Sequence, residues 1–151
     1  MKKGFLSLAM LFLIAITSFA EGRAKYVFYF IGDGMGVNQV NGTETYLAAL
    51  QGRIGVEPLL FTQFPAVGLV TTFSATNGVT DSAAAGTALS TGRKTKNSAL
   101  GMLADLQTPV TSVAVWAQQS GAAVGISTNV SVDHATPAAF YAHQPMRDLY
   151  Y

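Results

Sequence analysis

Apolar and polar residues alternate along the chain in short blocks, and three of these blocks have the character of β-strands. Residues 26–31, 67–73 and 122–126 are apolar runs with β-prone side chains, which predicts strands. The first run has no charged position, so we predict that it is buried on both faces of a sheet.

Four further blocks carry the signals of helices. Apolar spacing or a capping residue predicts helices over 38–51, 82–89 and 111–119, followed by a last helix that opens at Thr136. Trp116 is predicted to face the core. The predicted caps of the last two helices, and the glycines predicted to end the first three, are Thr111, Thr136, Gly52, Gly92 and Gly121.

The order of these elements predicts the fold class α/β, with a mainly parallel sheet flanked by helices. In such folds, ligand sites gather at the carboxyl ends of the strands. Asp33 directly follows the first predicted strand, whereas Ser82 and residues 133–136 follow the other two by longer loops. These three segments are therefore expected to converge.

The first twenty residues have the layout of a secretory signal peptide. A positive start at residues 2–3 precedes an apolar run over residues 5–16, and small residues lie within 18–20. A membrane anchor is the alternative, but the apolar run is shorter than the roughly 20 residues that cross a bilayer. We therefore predict export to the periplasm or the extracellular space, with residues 21–151 as the mature domain.

The composition limits the chemistry that the chain can perform. It has no cysteine, which excludes disulfides and thiolate metal ligands. Its only histidines are His134 and His143, so a metal site built mostly from imidazole cannot be completed within this chain. Loss of Lys2 and Lys3 with the leader changes the net charge from +1 to −1, so nothing favours nucleic acid or an anionic membrane as a partner.

The glycine-rich segment 32–36 surrounds Asp33. Glycines allow a sharp turn and close approach to a ligand, and a carboxylate at a strand end suits a divalent cation. A dinucleotide-binding loop is disfavoured, because the third glycine comes one position too early. The alternative is an ordinary strand-to-helix turn in which Asp33 caps the next helix.

Ser82 opens the helix that follows a turn-rich loop. Free N–H groups and the helix dipole favour a phosphate there, and a metal ion is a plausible activator of the serine hydroxyl. Ordinary capping by Asp81 or Ser82 is the alternative.

The third segment contains Asp133, His134 and Thr136, and Arg147 lies further along. The first three side chains could furnish ligands for a hard cation, and an arginine fork binds two phosphate oxygens at once. The alternatives are helix capping by Thr136 and a solvated surface for the others. His143 is assigned to packing or surface.

Taken in order, these segments resemble the alkaline phosphatases. The resemblance runs from about Lys25 to Arg147, and it implies that residues 21–151 form the N-terminal part of an alkaline-phosphatase-like catalytic domain. It is carried by residues 30–36, 80–88, 91–92 and 134–138, with Arg147 beyond them.

The resemblance implies hydrolysis of small phosphate monoesters through a phosphoserine intermediate. Ser82 matches the nucleophile, and Arg147 matches the arginine that binds the phosphoryl group. Asp81 matches the acid that helps to position this arginine. Because members of the family are often dimeric, the resemblance also implies a homodimer as one form of assembly.

The resemblance further implies two zinc ions and one magnesium ion. Asp33 matches the aspartate that bridges a zinc and the magnesium, Ser82 a zinc ligand, and Thr136 a magnesium ligand. His134 stands where the family has either aspartate or histidine, and it is predicted to bind or shape the magnesium site.

The family takes most of its zinc ligands from positions further along its chains. Asp33, Ser82 and Thr136 cannot close a tetrahedral zinc site by themselves. We therefore expect these 151 residues alone not to be a competent phosphatase. A non-catalytic phosphate- or metal-binding remnant of such an enzyme is the alternative function.

Overall fold

A computed structural model describes residues 24–149 of the chain. Of these, residues 24–31 belong to one compact unit and residues 32–149 to another. The predicted signal peptide, residues 1–20, lies outside the described residues, so it stays a prediction. Within residues 24–149, no helix has both the length and the apolar character needed to cross a membrane.

The second unit is built around four α-helices in its described part. Helix α1 begins one residue before its predicted start, and Gly52 (φ +68°) follows its end. Gly92 ends α2 in the left-handed conformation, as predicted. The bounds are α1 Val37–Leu50, α2 Ser82–Thr91, α3 Val113–Gln119 and α4 Ala135–Ala138, with a 3₁₀ helix at Leu60–Gln63.

Two predicted caps and one predicted core residue are wrong. Ser112, not Thr111, caps α3, because its hydroxyl accepts a hydrogen bond from the N–H of Val115 at 3.3 Å. Helix α4 begins after His134, so Thr136 is its second residue rather than its cap. Trp116 is 55% exposed, because α3 packs through the small side chain of Ala114 instead.

The three predicted strands pair with no neighbour among the described residues. Only isolated bridges, between Leu100 and Gln144 and between Met102 and Pro109, are present there. The predicted burial of 26–31 is wrong, because Phe30 is 87% exposed. A strand gains its hydrogen bonds from a partner strand, and residues 24–149 provide none, so the mainly parallel sheet stays a prediction.

The core of the second unit lies between α2 and α4 and consists largely of alanine. Leu100 fills its centre, and the hydroxyls of Thr87 and Ser90 are buried but bonded to the carbonyls of Ala99 (3.3 Å) and Ala139 (2.7 Å). Small side chains let the two helices approach closely. The packed apolar residues are Ala83, Leu100, Ala135, Ala138 and Ala139.

Glu44 ties helix α1 to the 3₁₀ helix. Its Oε1 accepts hydrogen bonds from the hydroxyl of Thr62 at 2.6 Å and from the N–H of Leu59 at 2.9 Å. Both bonds favour the ionised carboxylate, so they lower the pKa of Glu44, with the Thr62 bond having the larger effect.

Gly86 is expected to be required for the close packing of α2 on α4. A Cβ at this position would lie 3.0 Å from the Cβ of Ala139 and 3.4 Å from the Cα of Thr136. Gly86→Val should therefore force the helices apart and lower the free energy of unfolding by about 1–3 kcal/mol in urea titrations.

Gly42 provides the matched control in helix α1. A Cβ there would meet nothing within 4 Å, so Gly42→Ala should raise the free energy of unfolding by about 0.5–1 kcal/mol. An unchanged urea midpoint for Gly86→Val would contradict the proposed packing role of Gly86.

Candidate active site

The start of α2 carries the Ser82 side chain beside the first backbone N–H groups of the helix. Asp81 caps the helix, since its Oδ1 accepts from the N–H of Ala84 at 3.0 Å. The first N–H groups of a helix have no intrahelical partner, and together with the helix dipole they favour an anion. The local sequence therefore places the Ser82 hydroxyl at a helix end whose free N–H groups favour an anion.

Asp33 reaches this helix start from a turn. The N–H of Met35 donates to the carbonyl of Gly32 at 3.1 Å, and Gly34 takes the positive φ of +69° that the turn requires. The Ser82 hydroxyl lies 3.0 Å from Oδ1 and 3.2 Å from Oδ2 of Asp33. The carboxylate therefore accepts the serine proton in a hydrogen bond.

Thr136 completes a group of three oxygen-bearing side chains. Its hydroxyl donates to Oδ2 of Asp33 at 3.1 Å across 103 residues of sequence. Helix α4 holds Thr136 at this point, and the absence of a side chain on Gly86 lets α4 approach α2. Ser82 and Thr136, from two segments far apart in sequence, thus bring their hydroxyls to the carboxylate of Asp33 in a third.

Arg147 belongs to a neighbouring group with Asp81 and His134. Its Nη1 lies 3.6 Å from Oδ2 of Asp81, and its Nη2 lies 3.5 Å from Nε2 of His134. The Arg147 and Asp81 side chains are 22% and 25% exposed, so the ion pair contributes at most about 1 kcal/mol. Within residues 24–149 the Arg147 guanidinium contacts these two side chains. Some of its five N–H donors therefore remain available to an anion.

The donor set fits a magnesium ion better than a closed zinc site. Magnesium takes oxygen ligands and commonly binds through one or two carboxylates with several waters, and Asp33, Ser82 and Thr136 offer such oxygens. Nδ1 of His134 is buried without a hydrogen-bond partner in the described structure. No cluster of three His, Cys, Asp or Glu residues occurs among residues 24–149, so tetrahedral zinc would need further ligands.

All six residues selected from the sequence lie in these two groups, which adjoin through Asp81–Ser82 and through 134–136. Sequence reasoning missed Gly86 and Ser98, whose N–H donates to Oδ2 of Asp81 at 3.0 Å. The small-residue character of 82–89 could have indicated Gly86, but no local signal marks Ser98.

Comparison with known proteins assigns the family. The alkaline phosphatase family model matches residues 24–151. The tissue-nonspecific alkaline phosphatase of Gallus gallus is 40% identical over 140 residues, which cover 86% of this chain and 27% of that protein. The chain belongs to the alkaline phosphatase family.

Solved structures of the family agree with this assignment. Alkaline phosphatase from the Antarctic bacterium TAB5 has a TM-score of 0.69 at 37% identity, over 79% of this chain and 32% of that one. A variant of that enzyme, with aspartate in place of a histidine and Mg bound in its M3 site, has a TM-score of 0.59 at 37% identity, over 70% and 30%. The fold is therefore alkaline-phosphatase-like, and the chain spans about a quarter to a third of these relatives.

Proposed function

We propose that this chain supplies the nucleophile-bearing part of a metal-assisted hydrolase of small phosphate monoesters. The observation that carries the proposal is the Ser82 hydroxyl, which lies at the start of α2 and donates to Asp33 at 3.0 Å. This arrangement combines a potential nucleophile, a proton acceptor and an anion-binding helix end at one point.

The residues of the chain have separate tasks in the proposed reaction. Ser82 Oγ forms a bond to phosphorus as the bond from phosphorus to the ester oxygen breaks, and water later hydrolyses the phosphoserine. The hydrogen bond to Asp33 directs the serine proton away from phosphorus. Bound metal ions would lower the pKa of the attacking hydroxyl and neutralise charge on the leaving oxygen.

Arg147 and the start of α2 bind the non-bridging phosphoryl oxygens in this proposal. The guanidinium can donate two parallel hydrogen bonds to these oxygens, and its contact with Asp81 turns it towards the helix start that carries Ser82. Charge that develops on the transferring group is stabilised best by donors that are already oriented.

We propose two zinc ions and one magnesium ion as cofactors, with Asp33 and Ser82 contributing to zinc binding. Asp33 and Thr136 would hold the magnesium ion, and His134 would bind or shape that site. The magnesium proposal is supported by the oxygen donor set and by the Mg in the M3 site of the TAB5 variant. The remaining zinc ligands would have to come from outside the described residues.

We also propose that the protein acts after export, in the periplasm or outside the cell. This rests on the signal-like layout of residues 1–20. A homodimer is the proposed assembly, by analogy with the family alone.

The enzyme proposal is tested with a chimera in which residues 24–149 replace the matching third of the TAB5 enzyme. This chimera supplies the rest of the domain, so it is expected to hydrolyse p-nitrophenyl phosphate at alkaline pH when zinc and magnesium are present. A folded, metal-loaded chimera without turnover would contradict the proposal.

The metal proposal is tested on the chain itself by titration with Mg²⁺. Asp33→Asn should weaken binding at least about tenfold, because it removes the carboxylate that the Ser82 and Thr136 hydroxyls share. Asp105→Asn is the matched control, since that exposed carboxylate bonds only within its own loop, to Gln107 and Thr108. Equal Mg²⁺ affinity for the Asp33 variant and the wild type would refute the assignment of Asp33.

A further inference from the structure

A strained turn adjoins the Asp81–Arg147 pair. The N–H of Ala99 donates to the carbonyl of Lys96 at 3.2 Å, which closes a β-turn with Ser98 at its third position. Ser98 has a φ of +73°. Type II turns require a positive φ at this position and take glycine there preferentially, so the serine is held in a conformation that costs energy.

Both main-chain polar groups of Ser98 contact this pair. Its N–H donates to Oδ2 of Asp81 at 3.0 Å, the same oxygen that faces the guanidinium of Arg147. Its carbonyl accepts from the backbone N–H of Arg147 at 2.7 Å. The one residue therefore orients the carboxylate and fixes the backbone from which the arginine side chain extends.

The surroundings of the turn hold Ser98 in this conformation. On one side, Leu100 is fully buried and exchanges two backbone hydrogen bonds of 2.9 Å with Gln144. On the other side, the Asn97 amide donates to the carbonyl of Val79 at 3.1 Å. Strain of this kind persists where neighbouring contacts over-determine the backbone, and it often accompanies functional sites.

We propose that Ser98 is a positioning residue, whose left-handed backbone sets the orientation of the Arg147 guanidinium. The proposal rests on the proposed function in one respect, namely that Arg147 binds the phosphoryl group. The Ser98 hydroxyl has no part in it, because both contacts are made by the main chain.

The test compares three kinds of substitution at Ser98 in the full chain. Ser98→Gly accepts the positive φ and Ser98→Ala removes only the hydroxyl, so both should behave like the wild type. Ser98→Thr keeps the hydroxyl but adds a β-branch, which is unfavourable at a positive φ. Ser98→Val adds the same β-branch and removes the hydroxyl. The two β-branched variants provide independent tests should one of them not fold.

Two measurements separate this proposal from the proposed function. The Nε–Hε NMR signal of Arg147, identified by its loss in Arg147→Lys, reports the orientation of the guanidinium without any ligand. The Kd for inorganic phosphate reports how well the Arg147 guanidinium, in that orientation, binds a phosphate group. The β-branched variants should shift the Arg147 signal and raise the Kd at least about fivefold, since fewer molecules hold the binding-competent geometry.

Leu106 supplies a matched control, because it is the other non-glycine residue with a positive φ (+59°) among residues 24–149. Leu106→Val should lower stability and leave both readouts unchanged. An unshifted Arg147 signal in both β-branched variants, or an equal shift in Leu106→Val, would overturn the proposal. A shifted Arg147 signal with an unchanged phosphate Kd would support positioning by Ser98 and contradict phosphate binding by Arg147 in the proposed function.

Discussion

Ser82→Ala is expected to abolish phosphomonoester turnover in the TAB5 chimera, lowering kcat at least about a thousandfold. The substitution removes the oxygen that would bond to phosphorus but leaves the Asp81 cap and the helix start in place. Phosphate binding should therefore survive better than turnover. Measurement of kcat with p-nitrophenyl phosphate, together with the inhibition constant of inorganic phosphate, separates the two effects.

Ser120→Ala is the matched control for this prediction. Ser120 is exposed and its hydroxyl bonds only locally, to the carbonyl of Ala117 at 2.7 Å, so its loss should not change kcat. Mass spectrometry of acid-quenched chimera should find phosphate on Ser82 and not on Ser120. Residual turnover of more than a few per cent in Ser82→Ala would exclude Ser82 as the nucleophile.

Arg147→Ala is expected to lower kcat/KM of the chimera about a hundredfold to a thousandfold. The guanidinium would face charge that develops on the phosphoryl oxygens, so its loss affects the transition state more than the ground state. The substitution also removes Nη1, which lies 3.6 Å from Oδ2 of Asp81, so this carboxylate would be left unneutralised beside the proposed phosphate-binding position. Separate values of kcat and KM show how the loss divides between binding and chemistry.

Arg147→Lys should recover only part of the lost activity, because an ammonium group cannot donate the two parallel hydrogen bonds of a guanidinium. Arg93→Ala removes an exposed arginine from the loop after α2 and serves as the control for a simple change of net charge. If the Arg93 and Arg147 variants lost activity to the same extent, the loss would be explained by the change in net charge and not by a specific contact of Arg147 with the phosphoryl group.

Local rules of the sequence determined the start and end of α2. Asp81 before an alanine-rich run predicts a cap, Gly92 predicts the stop, and the structure has both. The end of α1 before Gly52 follows in the same way. These features depend on residues within one or two turns of one another, so sequence alone contains the information for them. The position of Ser82 at a helix start is a consequence of such local rules.

Only the tertiary structure decided which side chains meet. The contact of Thr136 with Asp33 spans 103 residues, and it depends on the packing that Gly86 permits. Segment 26–31 shows that burial cannot be predicted from a local pattern either. Its apolar run predicts a buried strand, yet Phe30 is 87% exposed. Burial, strand pairing and the backbone strain at Ser98 are set by neighbours distant in sequence, and no local pattern specifies those neighbours.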